Sequence, residues 1–339
     1  MFRHFLLFVV SSSFIYCNCR CCKCCRFDYV KRLLKNLNIN LDKYNRNKYL
    51  AVKDNYDIIL KIIKNFSDDE KWKMFVDGKD QSEGKYVYDR PNCGSKTGEP
   101  GYLESMLNAW NYMISTLGKK IKIHKDRMND DNDIYLKMHK YTCNNVSNML
   151  EDSDYYRKTD RDVCFEICSD SKSKITKNLI KYQNKLKNEG FEPEKISNWE
   201  IDFKKREITC CYFSKIEQSE DFLNSGYSSG SRYLANKIFT NYYNKLAELK
   251  KSKYIKGSFL SKDASYEDKI LELIVRTVST LMWSHIFPDG NGRLNIYLVL
   301  NKLLIENNLL PVIIYYPHDL VCNDVFFGID LIKDGQNDF

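Results

Sequence analysis

The sequence predicts a mainly α-helical protein with a small β-hairpin, and three observations support this fold class. Apolar residues recur at helical spacing in two segments near the carboxyl end, 266–283 and 294–305, and in several segments before them. Strand-like segments are few and short, namely 163–167, 199–203 and 208–213. No repeat of solenoid length is present, so we expect one helical domain preceded by an extension.

Three regions are predicted along the 339 residues. Residues 1–25 form a leader, 26–100 form a helical amino-terminal region that ends in a linker, and 101–339 form the main domain. In the second region, helical spacing is shown by Ile58, Ile59, Ile62, Ile63 and Phe66. The segment 78–101 is rich in Gly and Pro and is the best candidate for a linker.

The main domain is predicted to contain four helices before the two at its carboxyl end, over 102–117, 133–150, 174–187 and 231–251. The segments 199–203 and 208–213 flank the charged residues 204–207, as the strands of a hairpin would. Pro311 follows the last apolar helix and marks its end.

The net charge gives no support to a nucleic-acid-binding function. Lys and Arg number 53 and Asp and Glu number 45, a difference of +8 that is spread along the chain. Nucleic-acid-binding proteins concentrate such charge in a patch or stripe. The densest run, 250–256, is equally well explained by a solvated helix end. We therefore expect no nucleic-acid partner.

The amino terminus predicts targeting to the secretory pathway, either to the endoplasmic reticulum lumen or to secretion. Residues 5–16 are uncharged and mostly apolar. This is shorter than the ~20 residues that span a bilayer, but it fits the ~7–15-residue core of a signal peptide. The alternative is an ordinary strand. Acceptor triplets for glycosylation at Asn65 and Asn145 agree with secretion but arise often by chance.

Six of the 13 cysteines fall within residues 17–25, directly after this segment. Four uses remain open for them: palmitoylation with membrane association through the amino terminus, binding of a soft metal, disulfide formation, or no mature role in a cleaved leader. No paired Cys/His set has zinc-finger spacing. The cysteines therefore bear on location and not on catalysis.

The loop 285–293 between the two carboxyl-terminal helices carries the chemistry. A loop that enters a helix offers unbonded N–H groups, and Gly290 and Gly292 let the backbone approach a ligand closely. Arg293 adds a guanidinium that can donate two hydrogen bonds to one phosphate, and Asp289 offers an oxygen ligand that suits Mg²⁺ shared with phosphates. His285 can accept a proton near neutral pH. The loop matches neither a Walker motif nor a dinucleotide fingerprint.

His285 to Arg293 resembles the signature H-x-F-x-[DE]-G-N-G-R-x-x-R of the Fic family, which transfers nucleotide moieties to protein hydroxyls. The strong match covers about the last seventy residues. A weaker similarity, to the early helix, Tyr-Arg pair and strand of the family, extends back over 135–140, Tyr156, Arg157 and 163–167. The resemblance implies a Fic-like helical bundle with a β-hairpin flap, and the region 27–101 has no counterpart in it.

The resemblance also implies the roles of individual residues. His285 would be the general base that takes the proton from a Ser, Thr or Tyr hydroxyl of a target protein, and that hydroxyl would attack the α-phosphate of ATP. Asp289 would bind Mg²⁺. Gly290, Asn291 and Gly292 would surround the phosphates, Arg293 would balance the departing charge, and Phe287 would anchor the loop. The expected enzyme is a protein adenylyltransferase (AMPylase).

Position 296 departs from the signature, because an isoleucine stands where the family has its second arginine. In the family this arginine binds the terminal phosphate and pairs with an inhibitory glutamate. No [ST]xxxE[GN] motif is present either, since Lys stands four residues before Glu83, Glu189 and Glu306. A different nucleotide-linked donor, hydrolysis, or an inactive secreted binding protein are the alternatives. The target strand would align on 163–167 or on 199–213, and the oligomeric state is left open.

Overall fold

The computed structural model describes residues 68–90, 98–126, 131–146, 156–157, 161–168, 196–202, 207–214, 220–252, 258–261 and 263–337. The mainly α-helical class is confirmed over these residues. The leader, its cysteines, the isoleucine pattern of 58–66 and the predicted helix 174–187 lie outside them. None of the described helices is long and apolar enough to cross a membrane.

The helices and strands of the described residues have the following bounds. Before the sheet come α1 (Asp68–Lys71), α2 (Tyr102–Ser115) and α3 (Ile134–Cys143). The strands are β1 (Arg161–Cys168), β2 (Ile196–Asp202) and β3 (Glu207–Ser214). After them come α4 (Glu220–Leu223), α5 (Gly230–Ser252) and α6 (Tyr266–Ser284), a π-helical turn (Arg293–Val299) that continues as α7 (Leu300–Glu306), and finally α8 (Asp319–Cys322) and α9 (Val325–Asn337).

Helix α6 is the centre of the domain, because every residue from Lys269 to Trp283 is buried. It packs against α5, α7, α8 and α9. The Ser265 hydroxyl caps its first turn by accepting a hydrogen bond from the Asp268 amide at 2.9 Å. A helix that is buried on all sides is held firmly, so the loop that follows its last turn starts from a fixed point.

Helix α3 ends earlier than its apolar pattern predicts. The pattern runs to residue 150, whereas the helix stops at Cys143. Asn144 is extended and Asn145 adopts a positive φ of 62°, a conformation that asparagine tolerates better than most residues. The Gly101 Cβ position would lie 2.2 Å from the Asn145 carbonyl oxygen, so this turn packs tightly on the start of α2.

The three strands form one antiparallel sheet in the order β1-β3-β2. Phe165 is opposite Cys210 in the first pair, and Trp199 is opposite the same residue in the second. The two segments that the sequence offers as separate flap candidates therefore belong to a single sheet. Its edges are β1 and β2.

Residues 72–90 pack against the main domain. Met74 and Phe75 belong to the same buried core as α2 and α6. The Tyr102 hydroxyl donates to the Phe75 carbonyl at 2.5 Å, and the Gly78 amide donates to the Ile314 carbonyl at 3.0 Å. This packing brings the segment that precedes α2 next to the loop between α6 and α7.

Candidate active-site loop

The loop 285–293 begins where α6 ends in a left-handed residue. His285 closes the helix with φ 45° and ψ 60°, and its amide donates to the Met282 carbonyl at 3.2 Å. A residue with a Cβ pays roughly 1–2 kcal/mol for this conformation, and glycine usually occupies it. The histidine is thus held in a strained position in the lining of a cavity, with its Nδ1 atom buried.

The middle of the loop is fixed by Phe287 and Asn291. The Asn291 side-chain oxygen accepts from the Phe287 amide at 3.0 Å, and its nitrogen donates to the Phe287 carbonyl at 2.7 Å. The Phe287 ring is completely buried and lies near those of Tyr135 and Tyr156, in agreement with an anchoring role. Asn291 lines the cavity, but its amide closes the loop on itself, so its side chain acts on the loop shape.

The two loop glycines are required for different reasons. Gly290 has φ +71°, and a Cβ there would lie 3.0 Å from the Cys143 sulfur and 3.1 Å from His139 Nε2. Gly292 has an ordinary helical φ of −62°, and a Cβ there would have no atom within 4 Å. The backbone conformation and the close packing at position 290 therefore require glycine, whereas the missing side chain at position 292 leaves space open in front of the helix.

The side-chain carboxylate and the main-chain carbonyl of Asp289 each have a defined partner. Its carboxylate Oδ1 accepts from the Gly290 amide at 2.7 Å, and its carbonyl oxygen lies 2.7 Å from His139 Nε2. One carboxylate oxygen is engaged by the neighbouring peptide, and the side chain still lines the cavity. A bound phosphate would compete with this carboxylate for the Gly290 amide.

Arg293, the first residue of the π-helical turn, is nine-tenths buried and lies over the face of the Tyr102 ring at 5.1 Å. It forms an ion pair with Glu99 and donates to the Thr142 carbonyl at 3.4 Å. Burial alone would lower the pKa of Arg293, but Glu99 and other nearby groups outweigh it and raise that pKa. Burial raises the pKa of Glu99, and Arg293 opposes this shift.

One cavity of about 660 Å³ brings the predicted residues together. Its lining includes all six: His285, Asp289, Gly290, Asn291, Gly292 and Arg293. Other polar residues of the lining come from segments for which the sequence predicts no functional role, namely Asp77, Lys79, Asp80, Glu83, Arg90, Glu99 and His318. A volume of this size accommodates a nucleotide or another ligand of similar size.

Carboxylates outnumber cations among these other lining residues. Asp77 accepts from the Tyr297 hydroxyl, and Asp80 accepts from the Tyr88 hydroxyl at 2.8 Å. Burial raises the pKa of Asp77, although its bond to Tyr297 opposes this. Lys79 Nζ lies 4.0 Å from an oxygen of Asp77. The cavity lining therefore combines the backbone and guanidinium of the loop with several carboxylates from residues 77–99.

Ile296 lies on the core side of the π-helical turn and is 2% exposed. It touches the cavity but brings no charge to it. The hydroxyl of the next residue, Tyr297, donates a hydrogen bond to Asp77, so this side chain also brings no positive charge to the cavity. The position at which the Fic signature has its second arginine is therefore apolar in three dimensions as well as in sequence.

A Mg²⁺ ion that arrives with phosphates can be bound here by Asp289. Within the described residues, no group of three or more His, Cys, Asp or Glu side chains has metal-site geometry. Mg²⁺ commonly takes one or two carboxylates and completes its shell with phosphate oxygens and water. A single cavity-lining carboxylate beside the loop backbone fits that donor set.

Comparison with protein-family models and with curated proteins finds no match to this chain. The residues that sequence reasoning missed are the other lining residues of the cavity, above all Glu99 and Asp77. Glu99 lies in the Gly- and Pro-rich segment 78–101 that reads as a linker, and Asp77 directly precedes that segment. No local spacing relates either residue to a loop about 200 residues away.

Proposed function

We propose that this chain is a Fic-type protein adenylyltransferase, which transfers AMP from ATP to a hydroxyl of a target protein. The observation that carries the proposal is that one cavity contains His285, Asp289, the glycine-flanked helix start and Arg293. These are a base, a carboxylate ligand, an anion-binding backbone and a cation, which together match the demands of phosphoryl transfer. A Fic-like bundle in which the antiparallel sheet acts as a flap belongs to the same proposal.

The reaction would proceed by in-line displacement. The target hydroxyl oxygen forms a bond to the α-phosphorus while the bond from that phosphorus to the bridging oxygen of pyrophosphate breaks. His285 takes the hydroxyl proton; because its Nδ1 is buried, we assign this step to Nε2. Arg293 and the backbone at Gly292 stabilise the charge that builds on the leaving pyrophosphate.

Asp289 would hold the Mg²⁺ that accompanies ATP, and the ion would supply partial neutralisation of the charge on the transferring group. Asp289 also keeps the Gly290 amide in place until the phosphates arrive, through the 2.7 Å bond to its own carboxylate. Arg293 must leave Glu99, at least in part, before it binds phosphate. Exchange of one anion for another at a buried guanidinium costs less than creating a charged site anew.

The β1 edge is our choice for the surface that aligns the target. The Arg157 amide donates to the Ile286 carbonyl at 3.0 Å, so the chain just before β1 is fixed to the catalytic loop. β1 then begins at Arg161 and has β3 on one side only. An added strand on its open edge would receive main-chain hydrogen bonds there, whereas the β2 edge belongs to the far strand of the sheet.

Transfer of labelled AMP tests the proposal. The chain is incubated with α-labelled ATP, Mg²⁺ and a lysate or a generic acceptor protein, and the labelled residue is identified by a mass shift. We expect labelling that His285→Ala abolishes and that Asp289→Asn reduces at low Mg²⁺. Equal labelling by wild type and His285→Ala would refute the mechanism.

A second candidate keeps the loop chemistry but changes the donor. The apolar Ile296 and the carboxylates of Asp77, Asp80 and Glu83 in the cavity lining disfavour a tetra-anionic triphosphate. A nucleotide-linked donor with fewer phosphate charges would be repelled less. Competition of ADP, CDP and UDP derivatives against ATP binding distinguishes the two candidates, since tighter binding of the diphosphate-linked donors would favour the second.

We also retain the secretory pathway as the proposed location, with membrane association through the amino terminus as the alternative. Its basis is the apolar segment 5–16 and the cysteines that follow it. Amino-terminal sequencing of the mature protein tests it: cleavage before or within residues 17–25 supports a signal peptide, and an intact, acylated Cys cluster supports an anchor.

A further inference from the structure

His139, on the last turns of α3, touches the catalytic loop at two points. Its ring is stacked on that of Phe287, with centroids 3.7 Å apart and planes 6° from parallel. Its Nε2 atom lies 2.7 Å from the Asp289 carbonyl oxygen. The residue is fully buried, so neither contact is shared with solvent. Neither the motif nor its spacing assigns a role to this side chain.

The hydrogen bond fixes the form of the imidazole. A carbonyl oxygen can only accept, so Nε2 carries the proton and donates it. Nδ1 then has a lone pair, and within the described residues it is buried without a partner. Burial lowers the pKa of His139 to about 3, and nearby Arg293 adds to this effect. The imidazole is therefore neutral over the working pH range and serves as a fixed donor.

The bond to the Asp289 carbonyl determines where the next amide points. The Asp289 C=O and the Gly290 N–H belong to one planar trans peptide and face opposite directions. With the carbonyl held against α3 by His139, the N–H is turned away from α3 and reaches the Asp289 carboxylate. If the peptide rotated, the first amide of the phosphate nest and the Asp289 side chain would both be misaligned.

We propose that His139 is a positioning residue for the phosphate-binding loop: its Nε2–H holds the Asp289–Gly290 peptide so that the Gly290 amide and the Asp289 carboxylate face the nucleotide phosphates. The stack on Phe287 and the tight fit of Gly290 against His139 support the same register. This inference rests on the proposed nucleotide-binding function, and it assigns no proton transfer to His139.

A matched pair of substitutions isolates the donor. His139→Gln and His139→Met both remove the ring and its stack, have similar length and volume, and are good helix formers. Only glutamine retains an N–H that can reach the Asp289 carbonyl. We expect His139→Gln to bind Mg·ATP within about threefold of wild type and His139→Met to bind at least tenfold more weakly by calorimetry. Equal affinities in the two variants would overturn the proposal.

Two further readouts separate positioning from general stability and from the proposed function. Hydrogen exchange of the 289–292 amides, measured without nucleotide, should be at least tenfold faster in His139→Met and nearly unchanged in His139→Gln. If wild type binds no ATP, the proposed function fails while this exchange difference still decides the role of His139. The pH profile of AMP transfer should keep its acidic limb in His139→Gln, and loss of that limb would show that His139 titrates in the reaction.

Discussion

The two loop glycines offer a test in which stability and function should separate. In Gly290→Ala the new methyl must adopt φ +71°, which costs about 1–2 kcal/mol. It also meets Cys143 Sγ at 3.0 Å and His139 Nε2 at 3.1 Å, and overpacking of this kind costs about 1–3 kcal/mol. The two effects together predict that the free energy of unfolding falls by about 2–5 kcal/mol.

Gly292→Ala is the matched control, because it adds the same methyl two residues further along. Its φ of −62° suits alanine, and nothing lies within 4 Å of the new atom. Reduced entropy of the unfolded chain should stabilise the protein by about 0.4–1 kcal/mol. The methyl would, however, project into the cavity beside Arg293, where we expect it to weaken Mg·ATP binding at least tenfold, or about 1.4 kcal/mol.

Urea denaturation and calorimetric titration of Mg·ATP into each variant measure the two quantities. We expect the free energy of unfolding to fall in Gly290→Ala and to rise in Gly292→Ala, and nucleotide binding to weaken selectively in Gly292→Ala. These expectations would be refuted if Gly290→Ala were as stable as wild type, or if Gly292→Ala bound nucleotide with unchanged affinity. A parallel loss of stability in both variants would show that the loop glycines share one structural role.

Three further predictions concern the charges and strain around the cavity. Glu99→Gln should bind Mg·ATP about three- to tenfold more tightly, or roughly 0.7–1.4 kcal/mol, because Arg293 loses its competing carboxylate; calorimetry checks this against the exposed Glu104→Gln control, and weaker binding would contradict it. His285→Gly should unfold at higher urea than His285→Ala by about 1–2 kcal/mol, since glycine relieves the left-handed strain, while both fail to transfer AMP; equal stability would argue against strain at this residue. Burial raises the pKa of Asp319 to about 7, and its Oδ1 has no partner in the described part of the chain. The folded state therefore binds a proton more tightly than the unfolded state, and this carboxyl lowers stability as pH rises from about 4 to 7. In Asp319→Asn the fall with pH should be smaller by roughly 2–4 kcal/mol, as measured by urea denaturation at several pH values; an unchanged profile would mean that Asp319 is charged at low cost.

Much of the helical framework could be predicted from periodicity alone. The segments 102–117, 231–251 and 266–283 correspond to α2, α5 and α6, because a long apolar stripe at helical spacing has few other ways to be buried. The ends of the helices are harder to predict. The apolar pattern of 133–150 extends beyond the end of α3, because Asn144 and Asn145 stop the helix through their backbone preferences. An apolar pattern carries no information on such preferences. The π-helical turn that begins at Arg293 is not predictable from periodicity either, because an apolar pattern does not distinguish it from a regular α-helical turn.

The composition of the candidate loop can be read from the sequence alone. His285, Asp289, the two glycines and Arg293 are neighbours in the chain, and any loop between two buried helices brings such neighbours to one place. Ile296 is likewise a fact of the sequence, and its helical context already implied an apolar environment. Local spacing sufficed in these cases because the interactions themselves are local.

The partners of that loop, by contrast, are visible only in the folded chain. Glu99 pairs with Arg293, Asp77 meets Tyr297, and His139 supports the Asp289 peptide, all across separations of about 150–220 residues. Such contacts depend on how the helices pack, and no period or motif encodes them pairwise. The charge balance of the cavity is therefore a property of the fold.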